Sequence, residues 1–145
     1  MRRAAAMAGT AALIMSAGAW APAVAAPVGF SVHIVAHTSF EAESSDFESN
    51  IPGCTSGTVE NAENVAAHFT PWGGVFVGDK VFTCTGGDAG FVISLRARFG
   101  EGGSTGSWTV ASGSGDLEGL KGSGSLVGIP ISDTALDDVY TGTVR

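Results

Sequence analysis

Apolar and polar side chains alternate along two stretches of this chain, and a period of two commits both to β-strands. Val28, Phe30, Val32, Ile34 and Ala36 share one face, against Gly29, Ser31, His33, Val35 and His37 on the other. Phe91, Ile93, Leu95, Ala97 and Phe99 do the same against Val92, Ser94, Arg96 and Arg98, where the two arginines mark the wet side. Between these stretches, residues 75–84 are rich in Val and Phe. The Thr85-Gly86-Gly87-Asp88 that follows is turn chemistry, folding this run onto the next as a hairpin. Residues 102–106 read as a flexible Gly-rich loop, Trp108 and Val110 share a face in the strand after it, and residues 123–127 and 139–144 supply two more short strands. Residues 60–69 come nearest to a helix, with Val65 and Phe69 on one face, but Asn61, Asn64 and His68 break the pattern. Short strands separated by Gly-rich turns imply an all-β domain, either a sandwich or a small antiparallel barrel.

The N-terminus is a different kind of segment. Arg2 and Arg3 precede an Ala-rich apolar stretch from Ala4 to Trp20, which leads to the small residues of Ala23-Val24-Ala25. That is the pattern of an export signal, and it predicts cleavage between Ala25 and Ala26, with Pro27 as a close alternative start. A membrane anchor fits less well, because a spanning helix wants about 20 strongly apolar residues and this stretch is interrupted by Gly9, Thr10, Ser16 and Gly18. Twin-arginine export fits less well too, since Ala4-Ala5-Ala6 stands where that motif wants bulky apolar residues. The expected organisation is a signal peptide over residues 1–25 and one secreted, extracellular domain over residues 26–145, with no membrane association after cleavage.

Without Arg2 and Arg3, five basic residues (Lys80, Arg96, Arg98, Lys121, Arg145) face fourteen acidic ones, a net charge of −9. Such a surface repels phosphate backbones, and no basic patch interleaved with aromatics offsets it, so nucleic acid is not an expected partner. The two cysteines, Cys54 and Cys84, agree with export: an even pair bound for an oxidising compartment forms a disulfide, and only one pairing exists. A zinc site is not expected from two lone cysteines thirty positions apart.

No catalytic, cofactor or metal residue is assigned. Gly102-Gly103-Ser104-Thr105-Gly106 has the letters of G-x-S-x-G, but a nucleophile elbow needs a helix after it and a strand follows instead. His33 and His37 share a strand face, yet stand roughly 13 Å apart at about 3.3 Å per residue, too far for one metal ion. The acidic groups at Glu41, Glu43, Asp46 and Glu48, and at Asp133, Asp137 and Asp138, lack the spacing of a calcium loop and read as solvating loops. Trp72, beside Pro71 and Gly73-Gly74, and Trp108 are the aromatics placed to line a cavity or to fill a small barrel.

Three runs carry a resemblance: residues 82–91 (FTCTGGDAGF), residues 106–117 (GSWTVASGSGDL) and residues 119–124 (GLKGSG), with Tyr140-Thr141-Gly142 later. They resemble small secreted bacterial proteins related to the allene oxide cyclase and dirigent-type barrels, over roughly Lys80 to Val144. The resemblance implies an eight-stranded antiparallel barrel of calycin-like type, with the glycines at its corners. It carries no catalytic residue onto this chain, because the lumen residues of those enzymes have no matched positions here. Two roles are expected of such a barrel. One is non-catalytic binding of a small apolar ligand or a surface partner; the other is an isomerase or cyclase acting on a small molecule inside the barrel.

Overall fold

Nine strands follow one another through residues 28–145, the part of the chain that the computed structural model describes. The expected leader and its cleavage point between Ala25 and Ala26 lie outside the described residues. The strands are β1 (Phe30–Ser39), β2 (Ser44–Ile51), β3 (Cys54–Asn61), β4 (Ala66–Thr70), β5 (Gly73–Cys84), β6 (Gly90–Gly100), β7 (Gly103–Ser114), β8 (Gly122–Ser132) and β9 (Ala135–Val144). All pairings are antiparallel, in the order β3-β2-β1-β9-β8-β7-β6-β5-β4, and β3 also pairs with β5. That last pairing shuts eight strands into a barrel and decides against a sandwich. The Cys54–Cys84 disulfide, with Cα atoms 5.1 Å apart, crosses the same β3–β5 seam.

The alternation of β1 and β6 is realised over most of its length: Val32, Ile34 and Ala36, and Phe91, Ile93, Leu95 and Ala97, are all buried, whereas Val28 precedes β1 and is exposed, Phe30 is exposed at its start and Phe99 is half-buried. Aromatic rings fill the middle of the barrel. Phe82 stacks on Phe91 at 4.7 Å and meets Phe47 and Tyr140 edge-on at 5.1 and 5.7 Å, while Trp108 meets Tyr140 at 6.4 Å. Such pairs contribute about 0.5–1.5 kcal/mol each beyond the area they bury. Room for the indole comes from glycine: Trp108 stands opposite Gly124, which itself faces Gly142 on β9. The indole Nε1 donates to the carbonyls of Ser125 and Thr141 at 3.0 and 3.2 Å, so its one polar atom is satisfied at full burial. One end of the barrel is plugged by a 3-10 turn (Gly115–Leu117) whose Leu117 is buried, with Leu120 packed beside it.

One local expectation is corrected. Residues 102–106 are not a loop, since only Glu101 and Gly102 turn and β7 begins at Gly103. Ser104, Thr105 and Gly106 are laddered on both sides, to β6 and β8, and the gain outweighs the entropy that glycine loses in a strand. Residues 60–69, where the broken pattern argues against a helix, form the end of β3, a turn and β4. After Asn61, paired with Lys80, the chain bulges through residues 62–65 and resumes on the same edge of β5 at Ala66, paired with Val77. Asn64 pins the bulge, donating to the Asp79 carboxylate at 2.9 Å and accepting from the Asp79 amide at 3.0 Å. β4 and the start of β5 therefore project past the closed ring as a hairpin at the unplugged end.

Candidate functional site

Two features distinguish the unplugged end: an ion pair inside the wall, and aromatic side chains held out on the rim. Along β5 the inward positions run Phe76, Gly78, Lys80, Phe82 and Cys84; along β9 they run Leu136, Asp138, Tyr140, Gly142 and Val144. One charged residue falls in phase on each apolar face. Inside the barrel Lys80 Nζ lies 3.3 Å from Asp138 Oδ2, with both side chains under a tenth exposed. Thr38 Oγ1 donates to the same carboxylate oxygen at 3.0 Å, and the Lys80 ammonium sits 5.5 Å from the Phe76 ring centre. The charges thus neutralise one another and are hydrogen-bonded, the condition for burying them at all.

Next to Asp138 on the inward face of β9 stands Tyr140, fully buried, whose hydroxyl has no hydrogen-bond partner among the described residues. Burial, and secondarily the nearby Asp138 carboxylate, push its phenol well above the usual tyrosine range. It therefore remains a neutral phenol at ordinary pH. With the carboxylate engaged by Lys80 and Thr38, this group holds charge in place and presents no unengaged carboxylate as a base.

On the rim, Phe69 of β4 and Phe99 of β6 meet edge-on at 5.5 Å across Gly74. Phe69 is nevertheless 79% exposed, and Trp72, in the turn between β4 and β5, is 91% exposed. Phe40, after β1, is 62% exposed. Trp72 thus lines no cavity, contrary to expectation, because the hairpin carries it beyond the closed ring. Trp108, its companion in that expectation, fills the interior.

The remaining candidates are dispersed. His33 and His37 lie exposed on the outside of β1, where His37 Nδ1 is 2.8 Å from Asp137 Oδ1; His68 is exposed on β4. Among the described residues no three His, Cys, Asp or Glu side chains gather to hold a metal ion. Asp46 and Glu48 belong to β2 rather than a loop, and Asp138 is not a solvating residue. Shallow surface depressions lie away from the ion pair, one between Leu117, Lys121 and Arg145 at the plugged end and one on the outer wall around His37, Asp46 and Thr83. No helix among the described residues is long and apolar enough to cross a membrane.

No family model and no curated protein matches this chain. The strand parity carried a usable signal for the ion pair: a lysine and an aspartate in phase with apolar neighbours on strands are buried, and buried charges of opposite sign seek each other.

Proposed function

We propose that this protein is a secreted, non-catalytic barrel that binds a partner with the rim of its unplugged end rather than in its lumen. One observation carries the reading: the interior is occupied by its own rings, Phe47, Phe82, Phe91, Trp108 and Tyr140, while Phe69 and Trp72 are held out in solvent. Large exposed aromatics gathered at one place on a small domain mark a contact surface. Export is supported by the leader-like N-terminus and by the buried Cys54–Cys84 bridge. Kinship with the allene oxide cyclase and dirigent-type barrels belongs to this reading; the closed eight-stranded ring supports it, and such kinship speaks to fold rather than chemistry.

The test is a titration with N-phenyl-1-naphthylamine, a neutral apolar dye. Its fluorescence is expected to rise with the wild-type mature protein and to be lost in the Phe69→Ser/Trp72→Ser double variant. Stoichiometric binding retained by that variant would place the site in the lumen and end the rim reading.

A second reading, an isomerase or cyclase-like enzyme, has Lys80, Asp138 and the unpartnered Tyr140 hydroxyl in its favour. It requires small molecules to reach that group. In an NMR fragment screen, hits that perturb Lys80 and Tyr140 favour it, and hits confined to Phe69, Trp72 and their neighbours count against it.

A further inference from the structure

We propose that the free edge of β4 is a docking site for an extended, positively charged segment of another protein, which adds to the sheet as a further strand. The inference rests on the rim-binding reading and names the partner for that end of the molecule. β5 gives one edge to β6 and shares the other between β3, at Lys80–Cys84, and β4, at Gly73–Val77. β3 is in turn covered by β2, whose pairing stops at Ser44 opposite Glu60. Beyond that point nothing covers β4, which pairs with β5 alone among the described residues. Every residue of this five-residue strand is exposed. Edge strands carry unpaired backbone donors and acceptors, and proteins usually blunt them with lysine, proline or a covering loop. Ala66, Ala67, His68, Phe69 and Thr70 include no lysine or proline, and the edge is blunted by its shortness, the bulge before it and Pro71 just after it.

Carboxylates near the free edge favour a cationic segment, the exposed Arg96 and Arg98 of β6 standing two strands away from it, in register with Ala66 and His68. A strand laid on β4 lies in line with β2 and runs up to its Ser44 end, where Glu41 and Glu43 stand exposed. Glu60 near the end of β3 and Glu63 in the bulge that leads into β4 are exposed as well. Backbone pairing would give the segment its affinity, Phe69 and Trp72 would receive apolar side chains, and the four carboxylates would select lysine or arginine and speed encounter.

The probe is a short amidated peptide alternating valine and lysine, labelled for fluorescence anisotropy. Its controls replace lysine by glutamate, or N-methylate alternate peptide nitrogens. The Val–Lys peptide is expected to bind, the glutamate and N-methylated forms not to, and the β4 amides to gain protection from hydrogen exchange. Glu41→Gln/Glu43→Gln/Glu60→Gln/Glu63→Gln should weaken binding by about tenfold, and raised salt should weaken it similarly. These glutamates are exposed, so the variant folds. Equal binding of the N-methylated peptide would overturn the edge inference while leaving the rim reading intact, since side-chain contact would then suffice. If the Val–Lys peptide does not bind, the inference fails, and the rim reading is decided separately by the dye titration.

Discussion

The Lys80 ammonium meets the Asp138 carboxylate at 3.3 Å inside the barrel wall, although the two residues are 58 positions apart in the chain. Removing one partner strands the other charge in a place water barely reaches. Asp138→Ala should therefore cost about 3–5 kcal/mol, read as a lower urea midpoint at unchanged slope. The double variant Lys80→Met/Asp138→Leu should recover most of that loss, because apolar residues of similar volume fill the space without desolvating charge. Equal losses in the single and double variants would show that the pair is not isolated from water.

Tyr140 is the only tyrosine of the chain, so tyrosinate absorbance reports on it alone. Its folded pKa is raised above the unfolded value of 10.0, first by burial and then by Asp138. The stabilisation this provides is complete below pH 10 and is lost as pH climbs from there through the folded value. Alkaline titration should accordingly show no tyrosinate until the barrel unfolds, with the two signals coinciding. Tyr140→Phe should keep the ring contacts to Phe82 and Trp108 and remove a hydroxyl that has no hydrogen-bond partner among the described residues, leaving stability within about 1 kcal/mol of wild type and flattening its decline above pH 10. A tyrosinate signal well before unfolding would contradict the burial.

Strand parity made much of this barrel legible in the sequence. In β1 and β6 alternation alone identifies Val32, Ile34, Phe91 and Ile93 as core. The rim was hidden for a physical reason: a bulge at residues 62–65 breaks the period between β3 and β4, so neither half looks like a strand. Gly103 and Gly106 concealed the start of β7, because glycine advertises turns: Gly103 does carry a positive φ of 107° where the turn meets the strand, whereas Gly106 answers to close backbone approach. A Cβ on Gly106 would lie 2.8 Å from the Ala97 Cα of β6. Asp138 was masked by its neighbours Asp133 and Asp137, which make it look like part of a charged loop. Trp72 misled in the opposite sense, since size and apolarity say nothing about which side of a hairpin tip a ring occupies.

The Cys54–Cys84 bridge closes a span of 30 residues across the seam that makes the sheet a barrel. Cys54→Ser/Cys84→Ser should lower stability by about 3–4 kcal/mol, the loop-closure entropy returned to the unfolded chain. The loss should be local before it is global. Hydrogen exchange in the reduced protein should accelerate first in β3 and at the Lys80–Cys84 end of β5, while the β8–β9 ladder stays protected. Uniform acceleration would mean that the seam is no weaker than the rest.

Two glycines near each other in sequence should respond differently to alanine, because different physics holds them. Gly119 has φ +81° with open space around its missing Cβ, so Gly119→Ala meets only the left-handed backbone penalty, about 1–2 kcal/mol. Gly124 has no such backbone constraint. A Cβ there would overlap the Thr141 carbonyl oxygen and approach the Gly142 Cα to 2.7 Å, within the pair of strands whose carbonyls at Ser125 and Thr141 accept from Trp108. Gly124→Ala must push β8 from β9 or the indole from its bonds, at about 3 kcal/mol or more for overpacking against backbone. In a Trp72→Phe protein expressed as residues 26–145, whose one tryptophan is Trp108, Gly124→Ala should shift that emission to the red and Gly119→Ala should leave it unchanged. Matching losses with unmoved emission in both variants would mean that the glycine pair does not make the indole's site.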